Sequence, residues 1–187
     1  SHMSMGTTLT HLGKFAPARA HYEQGVAHYD PQQHRSLAFR YGHDPKVGCL
    51  AYGAAGALWH LGYPDQALKW SHEALALAQE LDHPHTLAYA LHFATLLHIC
   101  RREVGAARER AEADIALCTE HGFPLWLGAT TIYRGWAMIQ QRQRGEWISQ
   151  MRQGMATFEA TGAKVARPIN LCLLADAYAK TGQAGEG

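Results

Sequence analysis

The chain has 187 residues, long enough for a continuous core, and its 47% hydrophobic content is that of a globular protein. With 17 basic and 16 acidic residues the net charge is +1, and no run of five like charges occurs, which argues against a nucleic-acid or anionic-membrane face. The apolar runs are too short and interrupted to span a bilayer, and no secretory leader is expected.

In chain order, Ser1-His2-Met3 has the form of a protease-cut expression-tag scar, leaving residues 4–187 as a single solenoid domain. A lone second-type helix is expected over about 15–29. Hairpins follow over about 44–82, 84–122 and 124–162, then a final first-type helix over about 166–181. Gly185-Glu186-Gly187 reads as the opening of another helix, so the expectation is a fragment of a longer array. Four prolines set this rhythm. Pro45, Pro84, Pro124 and Pro168 are 39, 40 and 44 residues apart. Each starts an Ala/Leu-rich run, where a fixed φ and a missing N–H suit the first helical turn. About 19 residues after the first three come Gly62-Tyr63-Pro64, Glu103-Val104-Gly105 and Arg144-Gly145-Glu146, each followed by another helical run. A period of about 40 residues holding two helices marks an α-solenoid, whose repeats cannot bury an apolar face alone.

One segment breaks the period. Gly13 and Gly62 are 49 residues apart, and the surplus lies in residues 30–43, which carry Arg35, Phe39, Arg40, Tyr41 and His43. An insertion of this length either covers apolar surface at the edge of the stack or binds something.

Within the hairpins, small residues recur where helices must approach closely. First helices show Ala51-x-x-Ala54-Ala55-x-x-Leu58, Leu91-x-x-Ala94-Thr95-x-x-His98, Thr131-x-x-Arg134-Gly135-x-x-Met138 and Leu171-x-x-Leu174-Ala175-x-x-Tyr178. Second helices show Ala18…Tyr22…Gly25, Ala67…Ser71…Ala74 and Ala107…Ala111…Asp114; Gln150…Gly154…Thr157 drifts furthest. This spacing resembles the tetratricopeptide (TPR) pattern. The stretches Tyr41-Gly42-His43-Asp44-Pro45, Leu58 to Ala67, Glu73 to Ala78, Leu81 to Pro84, Ala160-Thr161-Gly162 and Arg167-Pro168 resemble the TPR-like region of large bacterial signalling proteins. In that family a class III cyclase, kinase or DNA-binding domain precedes a P-loop ATPase and the helical repeats. The resemblance implies a sensor or interaction region and carries over no catalytic residue. A shorter protein with only the repeats is the other option.

Catalytic and metal chemistry find little footing. None of the 13 histidines forms an i, i+4 pair, so no metal site is expected. There is no G-x-S-x-G elbow, P-loop or C-x-x-C, and Cys49, Cys100, Cys118 and Cys172 lie in apolar helical runs as small core residues. Aromatics are more informative. Tyr52 and Trp59 lie seven apart on one helix; Ile132, Trp136 and Ile139 repeat the arrangement; Tyr89, His92 and Leu96 lie between. They either fill the core or line the groove formed by the first helices.

The fold expected is all-α, an α–α superhelix of antiparallel TPR-like hairpins with about eight helices. The function expected is a non-catalytic, cofactor-free, cytoplasmic scaffold for a protein or peptide partner, with no nucleic-acid or membrane role. The partner site is placed at Tyr52, Trp59, His92, Trp136 and Asp176. The alternatives are a small-molecule sensor regulating an upstream cyclase or transcription domain, and an oligomerisation module acting through exposed terminal helices.

Overall fold

The computed structural model describes residues 1–142 and 145–183. Arg144 of the third punctuator and Gly185-Glu186-Gly187 lie outside the described residues. The chain divides into two compact units, Ser1–Leu97 and His98–Gly187, with the boundary inside helix α7 (Pro84–Cys100). Eleven helices and no strand are found among the described residues. The expected eight are all present; the additional three span His2–His11, Pro31–His34 and Leu37–Tyr41.

Unit 1 opens with α1 (His2–His11), antiparallel to α2 (Phe15–Ala27). The expectation of a lone helix over 15–29 is therefore corrected: α2 has a first-type partner. Ser1 caps α1 by accepting the Ser4 N–H, and Ser1–Met3 belong to the folded segment. The threonines of α1 turn inward on their own helix: the hydroxyls of Thr7, Thr8 and Thr10 donate to carbonyls four residues back. Close approach to α2 falls at Gly6, where an added Cβ would lie 2.6 Å from the Tyr22 ring.

Residues 30–43 fold as two short helices, α3 (Pro31–His34) and α4 (Leu37–Tyr41). Ala38 is buried, whereas Phe39 is 84% exposed. The segment thus covers part of its unit and still presents an aromatic surface.

Helix α5 (Pro45–Tyr52) begins at the buried Asp44. Its carboxylate accepts the N–H groups of Lys46 (2.9 Å) and Val47 (3.1 Å) through Oδ1 and the Tyr29 hydroxyl (2.6 Å) through Oδ2. The Asp44 N–H donates to Thr86 Oγ1, so one residue ties α5 to the end of α2 and to α7. α5 continues as a π-helical segment, Gly53–Leu58. Its small side chains let α6 (Pro64–Glu80) close in, and Gly53 faces the Trp70 ring, where a Cβ would meet carbon at 2.7 Å. α7 (Pro84–Cys100) carries the aromatic residues of this unit's last layer.

Unit 2 holds the end of α7, then α8 (Val104–His121), α9 (Pro124–Gln140), α10 (Trp147–Ala160) and α11 (Arg167–Lys180). α9 packs on α8, α10 and α11. Gly128 and Gly154 bring the α9 and α10 backbones together: a Cβ on Gly128 would stand 2.6 Å from Phe158 N and 2.8 Å from Gly154 O.

Across both units the turns repeat at a fixed interval. Left-handed residues end the first helices at Gly62, Arg102, Arg142 and Gly182, and the second helices at Asp82, Gly122 and Gly162, each set 40 apart. The second and third turns are thus made by arginine at φ 61° and 54°, not by the glycines read from the sequence. Gly105 lies inside α8.

The small-residue register is that expected. Ala51, Ala54, Ala55 and Leu58 are buried, as are Ala67, Ser71 and Ala74, and Ala107, Ala111 and Asp114. It changes in α11, where Leu171, Cys172 and Ala175 are exposed. Among the described residues no helix follows α11 to cover them. Cys172 is accordingly not the core residue expected, while Cys49 and Cys118 are buried and all four cysteines are free.

Candidate functional site

In unit 1 the first-type helices α1, α5 and α7 meet through rings. His11, near the end of α1, donates Nδ1–H to the Thr7 carbonyl (2.8 Å), so its neutral ring has an acceptor at Nε2. That nitrogen lies 3.2 Å from the Tyr52 hydroxyl, and the two rings stack at 5.9 Å. Tyr52 also meets Phe93 of α7 edge-on at 4.7 Å. Phe93 contacts Tyr89 (4.7 Å) and His92 (5.0 Å), and Tyr89 stacks on His43 at 4.1 Å. An unbroken aromatic path therefore runs from exposed His11 to His43. Aromatic pairs of this kind add about 0.5–1.5 kcal/mol each beyond area burial.

Burial sets the electrostatics of this path. It lifts the Tyr52 phenol to about 12 and lowers the His92 imidazole to about 3, so both are neutral near pH 7. Burial, followed by the neighbouring His85 and His83, lowers His43 to about 4.

In unit 2 the corresponding helices meet through polar groups. The buried Trp136 of α9 donates Nε1–H to Asp176 Oδ2 of α11 at 2.7 Å. Gln140 donates to the same oxygen at 2.8 Å, and Lys180 donates to Gln140 Oε1. Lys180 also pairs with Asp176 at 3.6 Å; with these side chains 42% and 36% exposed, that pair contributes about 0–1 kcal/mol. The Arg102 guanidinium lies 5.9 Å from the Trp136 ring.

The five residues singled out from sequence fall into two groups and one outlier. Tyr52 and His92 share Phe93, and Trp136 and Asp176 are directly bonded. Trp59, half-buried after the π-helical segment, joins neither pair among the described contacts. His92 and Trp136 lie beneath the surface, so neither offers the open ring face of a contact hot spot. His11, His43 and Phe93 complete the unit 1 path. In the sequence His43 stands out as part of the insertion and of the Tyr41–Pro45 stretch that carries the resemblance, and no sequence signal picks out the other two. Phe93 is adjacent to His92, but His11 lay in a segment to which no helix was assigned.

No family model matches the chain, and no curated protein matches it. Solved structures do. A single-substitution form of a Podosopora anserina kinesin light chain-type protein, built of nearly identical TPR-like repeats, aligns with TM-score 0.67 and 18% identity over 99% of this chain and 87% of that one. The form without that substitution aligns with TM-score 0.66 and the same identity and coverage. The fold is TPR-like. At this identity the likeness concerns fold alone. Among the described residues of this TPR-like chain, no helix is long and apolar enough to cross a membrane, and no group of three or more His, Cys, Asp or Glu is placed to hold a metal ion.

Proposed function

We propose that the chain is a non-catalytic scaffold for a protein or peptide partner, serving as the sensor or interaction region of a bacterial cytoplasmic signal-transduction protein. The observation that carries the interaction reading is the aromatic path across α1, α5 and α7, which reaches the surface at exposed His11 and half-exposed Tyr52. Rings supply large contact area at low entropic cost, the property that concentrates binding energy in a few residues. Of the five sequence-derived residues, Tyr52, Trp59 and Asp176 retain surface for direct contact, while His92 and Trp136 support them from below. The signalling context rests on the sequence resemblance. Self-association belongs to the same reading, through the exposed Leu171 and Ala175 of α11.

The test is selection from a displayed peptide library, followed by affinity measurement. Tyr52→Ala and His11→Ala, each verified as folded, are expected to weaken the selected peptide about tenfold or more, since truncating an interface anchor costs above about 1–2 kcal/mol. Undiminished binding by both variants would remove this face as the partner site.

A further inference from the structure

A cavity of about 540 Å³ opens in unit 1 where the start of α1, the end of α2, the inserted helices α3 and α4, and the start of α5 converge. That volume suits a one- or two-ring molecule. Met3, Tyr29, Leu37 and Tyr41 supply apolar and aromatic wall. The insertion that breaks the repeat period provides four lining residues: His34, Leu37, Tyr41 and His43.

Four imidazoles, those of His2, His28, His34 and His43, line the cavity together with Ser1 and Ser4, and the last two imidazoles come from the insertion. His34 Nδ1 accepts the Asp30 N–H at 2.9 Å, so the neutral ring carries its proton on Nε2 and has a donor to offer. His43 is held by its stack on Tyr89, and its Nε2 is buried without a hydrogen-bond partner. That nitrogen faces the Met3 side: a Cβ on Gly48 would lie 3.0 Å from it and also meet the Met3 sulfur. A buried polar atom left unpaired is destabilising, and a ligand acceptor would relieve it.

Charge points the same way. Among the described residues no Asp or Glu lines the cavity. The two carboxylates nearby in sequence are engaged. Asp30 caps α3 through Gln32 N–H and accepts from Gln33. Asp44 holds the Tyr29 hydroxyl and the first N–H groups of α5. Cations stand over two of the lining rings: Lys46 Nζ is 5.7 Å from the Tyr29 ring, and the Arg40 guanidinium is 5.5 Å from the Tyr41 ring.

We propose that this cavity binds a small aromatic carboxylic acid, its ring against Tyr29, Leu37 and Tyr41 and its carboxylate at the His34 and His43 imidazoles. The site shares His43 with the aromatic path of the peptide-binding reading, but His34 and Tyr41, the residues varied below, lie outside that path, so the two readings fail separately.

The experiment is calorimetric titration with three probes of one shape: 2-naphthoate, 2-naphthamide and 2-naphthylmethylammonium. Affinity is expected to fall in that order, by about tenfold or more from the carboxylate to the ammonium. His34→Leu and Tyr41→Ala lie on the exposed insertion and leave the core intact. Each is expected to weaken 2-naphthoate about fivefold, the loss of one hydrogen bond or one ring face, with an unchanged circular dichroism spectrum. Equal affinity for the three probes overturns the proposal, as does full retention of 2-naphthoate by both variants. Loss of binding in a chain beginning at Ser4 also overturns it, because the site would then belong to Ser1–Met3.

Discussion

Unit 1 and unit 2 are built from the same helical hairpin, yet their first-type helices are joined by different chemistry. In unit 1 rings meet rings: Tyr52 on Phe93, Tyr89 on His43. In unit 2 an indole N–H, an amide and an ammonium converge around the Asp176 carboxylate. Both units bury an acid and a base, Asp44 and His92 in one, Asp114 and His98 in the other, but the shifted groups include two imidazoles in unit 1 and a carboxyl in unit 2. Unit 1 buries neutral imidazoles at His43 and His92, which acid must charge. Unit 2 buries a carboxyl at Asp114, bonded by Thr130 at 2.6 Å and Cys118 at 3.3 Å, and burial lifts it to about 6. One repeat geometry thus admits two pH responses of opposite sign, because the period constrains backbone approach and leaves the joining groups open.

The largest effect expected is steric. Gly128→Ala places a methyl against the backbone of α10, at Phe158 N and Gly154 O, and neither can rotate away. A loss of about 3 kcal/mol in unit 2 is expected by chemical denaturation, the upper end of overpacking costs. Gly135→Ala meets Cγ of the fully buried Met151 before it meets backbone, so the side chain must shift; a cost of about 1–2 kcal/mol is expected, part of it offset by alanine's helix propensity. Equal losses would mean that α9 and α10 are not in backbone contact.

Next comes Asp114→Asn. The folded carboxyl titrates above its unfolded value of 3.8, so its contribution to stability is complete below that value and is lost as pH rises through about 6. At pH 8 the ionised, buried form is a burden, and asparagine should stabilise unit 2 by about 2 kcal/mol while flattening its stability between about pH 4 and 7. An unchanged pH profile would sink this assignment. Trp136→Phe removes the indole donor from Asp176, which keeps Gln140 and Lys180; about 1–2 kcal/mol is the expected loss. Smallest is Asp82→Gly. The exposed aspartate sits at φ 47°, where glycine is at ease, so a gain of a few tenths of a kcal/mol is expected in a thermal melt.

Much of the repeat architecture was legible in residue spacing, because backbone proximity demands small side chains and proline suits a first helical turn. Ala67, Ser71, Ala107 and Ala111 sit where that logic puts them. The rest depended on tertiary context. α1 carries three threonines and a glycine, weak helix formers on their own; hydroxyl bonds to the preceding turn and the Gly6–Tyr22 contact accompany its folding. The turns at Arg102 and Arg142 escaped because glycine is the usual left-handed residue, and a glycine stood three residues further on in each case. For the site, Trp136 and Asp176 are 40 residues apart, so the period placed them at equivalent positions on neighbouring first helices. His11 and His43 had no such marker: one lay before the first recognised repeat, the other in the insertion that breaks it.

The comparison between the units is tested most directly by amide hydrogen exchange on one sample at about pH 7.5 and pH 5.0, with rates corrected for intrinsic pH dependence. His43 and His92 titrate below their unfolded value of 6.5, so their contribution is present above that value and is lost as pH falls toward about 4 and 3. Protection in α5 and the first turns of α7 should drop on acidification by about 2 kcal/mol per histidine, while α8 and α9 gain about 1 kcal/mol as Asp114 takes up its proton. Parallel loss in both units, or unchanged protection in unit 1, would contradict it.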